Sequence, residues 1–149
     1  MALSFNETEV VSSQYKQLKL NELNIGESVH FFVMDTEQRS SEEFGDFQTV
    51  VGLELDVSKA NTMDELVDVA EVANFIPNTM LQNAKLQNNC FYRIEKAWNR
   101  GDKSPSGKKA KGFGFKIFKL NLDASTVSAL AKKFNSEKFN EQEITPPNL

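Results

Sequence analysis

Between residues 29 and 122 the apolar side chains recur mostly at every second position, the spacing of strands that turn one face to a core. Val29, Phe31 and Val33 alternate with His30, Phe32 and Met34. Both sets are largely apolar, which predicts a central strand over 29–35, followed by a polar loop over 36–43. Phe47, Thr49, Val51, Leu53 and Leu55 share a face opposite Gln48, Val50, Gly52 and Glu54. That is a second strand, in which Gly52 marks a bulge or a sharp bend. Segments 91–98 and 113–122 alternate in the same way and flank a loop rich in Gly, Ser and Lys, so they predict a hairpin. Phe31, Val33, Phe47, Val51 and Leu53 are expected in the core.

Two stretches have helical spacing instead. Asn78 or Thr79 can cap the first, whose apolar face holds Met80, Leu81 and Ala84 and which ends near Asn88-Asn89. Asp123 or Ser125 can cap the second, over 123–135, with Val127, Leu130, Ala131 and Phe134 on one face. Lys132 and Lys133 complement the dipole at its C-terminal end. Segment 62–75 fits both periods. Thr62-Met63-Asp64-Glu65 matches a capping box, yet Val67, Val69, Ala73 and Phe75 also alternate. The expectation is a strand over 69–76 preceded by a helical turn.

Residues 1–17 are polar and predict a flexible N-terminal arm, and 136–149 a disordered tail. One domain is left over 18–122, ordered as three strands, a helix and two strands. That order belongs to the OB-fold, a mainly β architecture: a five-stranded barrel with a helix between strands 3 and 4, here followed by a C-terminal helix. Such barrels bind their ligands over strands 2 and 3, between the loops joining strands 1–2 and 4–5.

Composition narrows the chemistry. The chain has 149 residues, 40% of them hydrophobic, which is enough for one core and argues against global disorder. No apolar run approaches the ~20 residues that would cross a membrane. The start of the chain lacks a basic, apolar leader, and Cys90 is the single cysteine, so a cytoplasmic location is expected. His30 is the single histidine, which excludes a multi-histidine metal site or a histidine dyad. Its place inside an apolar run makes it an ordinary strand residue rather than a triad base. Gly112-Phe113-Gly114 is too short for a phosphate loop. The expectation is therefore a protein that is not an enzyme, with no catalytic residues, no metal and no cofactor.

Charge changes this picture more than composition does. The net charge is −4, but residues 1–92 hold five basic against fifteen acidic side chains, while 93–119 hold nine basic against two acidic. Trp98, Phe113, Phe115 and Phe118 are interleaved with those cations. Cations attract phosphates, and bases stack on rings at ~1–3 kcal/mol each with little regard to identity, so the pattern fits single-stranded nucleic acid. Arg93, Lys96, Arg100, Lys103, Lys108, Lys109 and Lys111 are the candidate phosphate contacts. Trp98 either stacks a base or, sharing parity with Tyr92 and Ile94, closes the core. Phe44, beside Gly45 in the loop between strands 1 and 2, either stacks a base or folds over the barrel mouth. Phe113 is a further stacking candidate. Two other functions fit the same facts: an acidic protein–protein adaptor or DNA mimic, and an RNA-binding OB module.

Three segments resemble phage-encoded OB-fold single-stranded DNA-binding proteins. They are Leu20-Asn21-Glu22-Leu23-Asn24-Ile25-Gly26-Glu27-Ser28-Val29, Phe75-Ile76-Pro77-Asn78-Thr79-Met80-Leu81-Gln82-Asn83, and the hairpin Tyr92–Trp98 with Gly114–Phe118. The resemblance spans roughly 20–120. It implies sequence-tolerant binding of single-stranded DNA, protection of replication or recombination intermediates, and the host cytoplasm as location. Replication or recombination proteins and a second copy of the chain are the protein partners it admits. The tail Glu141–Leu149 is only weakly acidic and ends in Leu, unlike the acidic, aromatic-ended tails through which many such proteins recruit partners.

Overall fold

The computed structural model describes residues 16–43 and 45–143, with side chains as far as Glu137. Phe44, most of the expected N-terminal arm and the end of the expected tail lie outside the described residues. The strands are β1 (Lys16–Gln17), β2 (Ser28–Ser41), β3 (Gly45–Glu54), β4 (Glu71–Phe75), β5 (Cys90–Trp98) and β6 (Gly114–Leu120). The helices are α1 (Met63–Val69), α2 (Thr79–Ala84) and α3 (Ala124–Glu143). The strands form one mixed sheet in the order β1-β4-β3-β2-β5-β6, with only β1–β4 parallel.

The protein is thus mainly β, as expected, but among the described residues the sheet has six strands rather than five and is not closed into a barrel. The extra strand is the short β1. Lys16 and Gln17 pair with Ala73 and Asn74, the Leu18 amide donates to the Asn74 carbonyl at 2.7 Å, and Lys16 Nζ meets Glu54 at 2.7 Å. β1 therefore covers the outer edge of β4, while β6 pairs with β5 alone. A two-residue strand leaves no periodicity to detect.

β2 is central, as its pattern predicts. Phe31, Phe32 and Val33 are all fully buried, on alternate faces of the sheet. Phe31, Val33, Val50, Phe75, Tyr92, Ile94 and Phe115 pack with Leu20 and with Leu81 of α2. Phe32, Val51, Leu53, Val72 and Phe91 pack on the other face under Leu66 of α1 and Leu130 and Phe134 of α3. Gly52 lies opposite a bulge between Val33 and Asp35 of β2. A Cβ there would stand 1.9 Å from the Phe32 carbonyl oxygen, so glycine is what lets the two backbones approach.

Several expectations need correction. Residues 36–41 are strand, not loop: they pair with β3 as far as Ser41–Gly45 and extend the sheet as a two-stranded ribbon. The β2 half of that ribbon is polar on both faces, so its period is invisible in hydropathy. Phe47 sits on it, half-buried and outside the core. Segment 62–75 uses both of its periods in turn, as α1 and then β4. Thr62 Oγ1 accepts from the Glu65 amide at 3.1 Å, and Glu65 reaches back to the Asn61 amide at 2.7 Å. α2 stops at Ala84 because Lys85 adopts φ 53°, short of the expected Asn88. α3 starts after Asp123, whose carboxylate takes the Thr126 hydroxyl, but continues past Asn135 to Glu143. Lys133 does not serve its own helix end. Its Nζ donates to the Val67 and Asp68 carbonyls, both at 2.7 Å, and so caps α1.

Candidate nucleic-acid interface

The outer face of β3 and β4, the surface over strands 2 and 3 where an OB-fold ligand is expected, is closed here. Val51, Leu53 and Val72 on that face lie beneath α1 and α3. A concave surface among the basic residues lies elsewhere. A cleft of about 730 Å³ lies between the loop 99–113 and α2, lined by Trp98, Arg100, Lys108, Lys109, Lys111 and Phe113 on one side and by Asn78, Thr79, Met80 and Asn83 on the other.

The basic loop is itself a small hairpin. The Gly101 amide donates to the Ala110 carbonyl at 2.9 Å, the Ala110 amide to the Asp102 carbonyl at 2.7 Å, and the Ser104 amide to the Lys108 carbonyl at 2.9 Å. Gly107 turns the tip at φ +82°, a conformation that L side chains rarely adopt. The Asp102 carboxylate is occupied by the Asn99 amide at 2.7 Å. Arg100, Lys103, Lys108, Lys109 and Lys111 are all exposed, and among the described residues none of them forms an ion pair. Their charge is directed outward.

α2 is tied to the base of this loop. Asn78 Oδ1 caps the helix by accepting from the Leu81 amide at 3.0 Å, while its Nδ2 donates to the Phe113 carbonyl at 2.9 Å. Met80 Sδ accepts from the Phe115 amide at 3.4 Å. The two walls of the cleft are thereby held in register by contacts to the Phe113 and Phe115 backbone.

Trp98 owes its position to a bulge. Tyr92 and Ile94 point into the core, and their parity would take Trp98 there too. The β5–β6 register shifts between Lys96 and Trp98, so Trp98 pairs with Gly114 and turns to the opposite face. Its indole lies over Gly114, where a Cβ would come within 1.9 Å of the ring. Trp98 is half-buried, belongs to neither core cluster and borders the cleft. Phe113 is also half-buried, with Arg100 5.7 Å from its ring centroid.

The expected site residues therefore separate into groups. Trp98, Arg100, Lys108, Lys109, Lys111 and Phe113 come together at the cleft. Lys103 is on the same loop, bridged to Lys109, but does not line it. Arg93 is on the outer sheet face, ion-paired with Glu95 at 2.8 Å and stacked 4.1 Å over the Phe118 ring. Lys96 is not a phosphate contact: it is fully buried. Its Nζ donates to the carbonyls of Asn21 at 2.8 Å and Leu23 at 3.2 Å and sits 4.4 Å over the Phe113 ring. Burial holds its pKa below the ordinary lysine value. Asn21 and Asn83 also line the cleft, and nothing in the sequence marks them, because isolated polar residues look like ordinary solvated surface. Asn78 and Thr79 are legible as cap candidates and Met80 as part of the apolar face, but not as cleft wall.

His30 is half-buried, paired across the sheet with Arg93. Its burial, and then the nearby guanidinium, push its pKa down. Among the described residues no helix is long and apolar enough to cross a membrane. No protein-family model, curated protein or solved structure matches the chain.

Proposed function

We propose that this protein binds single-stranded DNA, without catalysis and without base specificity, in the cleft between the loop 99–113 and α2. The observation that carries the proposal is the cleft's composition. Two half-exposed aromatic rings, Trp98 and Phe113, stand beside four cations that no described carboxylate neutralises. Rings give stacking surface to any base, and unpaired cations release counterions from the phosphates. In the same proposal, β2, β3, β4, β5 and β6 are the five strands of an OB barrel opened along one seam. Their order β4-β3-β2-β5-β6 supports that reading. Protection of replication or recombination intermediates in a phage-infected cell is the role that the sequence resemblance suggests.

The test is fluorescence anisotropy of a labelled single strand, its duplex and a matched RNA at several salt concentrations. Single-strand affinity should fall with salt at roughly −0.7 log units per neutralised phosphate, so Lys108→Ala/Lys109→Ala/Lys111→Ala should flatten the slope by about 2 and weaken binding. An unchanged slope in the triple variant would remove the loop from the site. Preference for the RNA would instead mark a module that uses the 2′-hydroxyl.

A further inference from the structure

The outward face of β6 continues from the cleft. Side chains alternate along a strand, so Gly114, Lys116 and Phe118 point to one face and Phe115 and Ile117 to the other, where they join the core. The missing side chain of Gly114 is replaced on that face by the Trp98 indole. The face therefore presents an aromatic, a cation and an aromatic in line: Trp98 over Gly114, then Lys116, then Phe118. Four residues of strand separate the two ends by about 13 Å, room for about three or four nucleotides at stacked spacing.

Phe118 is unusual for its position. It is 40% exposed on a sheet, among the most exposed large hydrophobic side chains of the described chain. The Arg93 guanidinium lies against its ring, 4.1 Å from the centroid. A ring backed by a cation and 40% exposed offers a flat stacking surface to a base. Lys116 is exposed beside it. The one carboxylate on this stretch, Glu95, faces Lys116 across the strands and is held by Arg93 at 2.8 Å. Beyond Phe118, Leu120 packs into the cluster beneath α3, which ends the open surface.

We propose that single-stranded DNA leaving the cleft past Trp98 runs along this face and stacks a second base on Phe118, with Lys116 at the intervening phosphates. The inference rests on the cleft as a single-strand site and extends its footprint to a surface that the basic loop does not reach. It commits to a single strand because a duplex presents no free base face to Phe118.

Two labelled deoxythymidine oligomers separate the cleft from the extension, one of about 6 and one of about 20 nucleotides, bracketing the site sizes usual for such modules. Phe118→Ala should leave the short oligomer's affinity within about twofold and weaken the long one by about 5- to 140-fold, the loss of one stacked base. Phe118→Tyr should restore it. Ultraviolet cross-linking of the long oligomer to the unaltered protein should label Phe118 as well as the loop 99–113. Undiminished binding of the long oligomer by Phe118→Ala, or equal losses at both lengths, would overturn the extension, as would cross-links confined to the loop. Failure of the unaltered protein to bind either length would remove the cleft reading and the extension together.

Discussion

Lys96 shows how far a residue's charge can mislead about its role. In the sequence it is one of nine cations in a basic segment, and only its shared parity with Tyr92 and Ile94 sets it apart. In the fold it is a buried tie that anchors the turn of the 3-10 helix Leu20–Glu22 to β5 through two backbone carbonyls. Lys96→Met should leave those carbonyls without their donor and cost about 1–3 kcal/mol in urea unfolding, with the salt slope of DNA binding unchanged. Because burial lowers its pKa, the unfolded chain holds this proton more tightly than the folded one. Its charging therefore opposes folding at neutral pH, and that opposition fades as pH rises toward the ordinary lysine value of 10.5. Arg93 was misleading in a milder way. Alternation along β5 already separates it from Lys96, and what the sequence could not supply was the ring of Phe118 above it.

At the scale of elements, legibility followed apolar periodicity. β2, β3, β5 and β6 carry apolar residues at alternate positions and could be placed from their spacing. The β2 half of the ribbon, residues 36–41, could not, since Gln38, Ser40 and their neighbours have no buried face to mark. α1 was legible only as a capping box, because seven residues bury one leucine, Leu66. Single irregularities mattered more than whole strands. The bulge before Trp98 reverses the face of the one residue on which the stacking hypothesis turns, and no property of Ala97 announces it. Gly52 did announce itself, as a small residue in a strand of large ones. Gly52→Ala would drive a Cβ against the Phe32 backbone, which cannot swing aside, and should cost at least about 3 kcal/mol by thermal or urea unfolding. A loss below 1 kcal/mol would mean that β2 and β3 can separate there without harm.

For the molecule as a whole, the sheet order turns a division along the chain into a division in space. α1 and β4, with Asp64, Asp68 and Glu71 exposed, lie toward one end of that order, and β5 and β6, with their basic loop, lie at the other. The C-terminal helix decides which sheet face remains open between them. Its periodicity was legible, but the surface it covers was not, because a helix pattern gives an apolar face without naming the partner. If α3 is integral to the fold, Leu130→Ala should cost about 2–5 kcal/mol in urea unfolding, since that side chain is fully buried between α3 and the sheet. A loss below 1 kcal/mol would describe a loosely resting cover instead. The tryptophan beside Gly114 has a practical consequence for all such measurements. It is the single tryptophan of the chain and sits half-buried where the cleft meets the outward face of β6. Emission excited at the red edge of protein absorption therefore comes from that junction alone, giving the unlabelled protein an optical signal local to the proposed path of the strand.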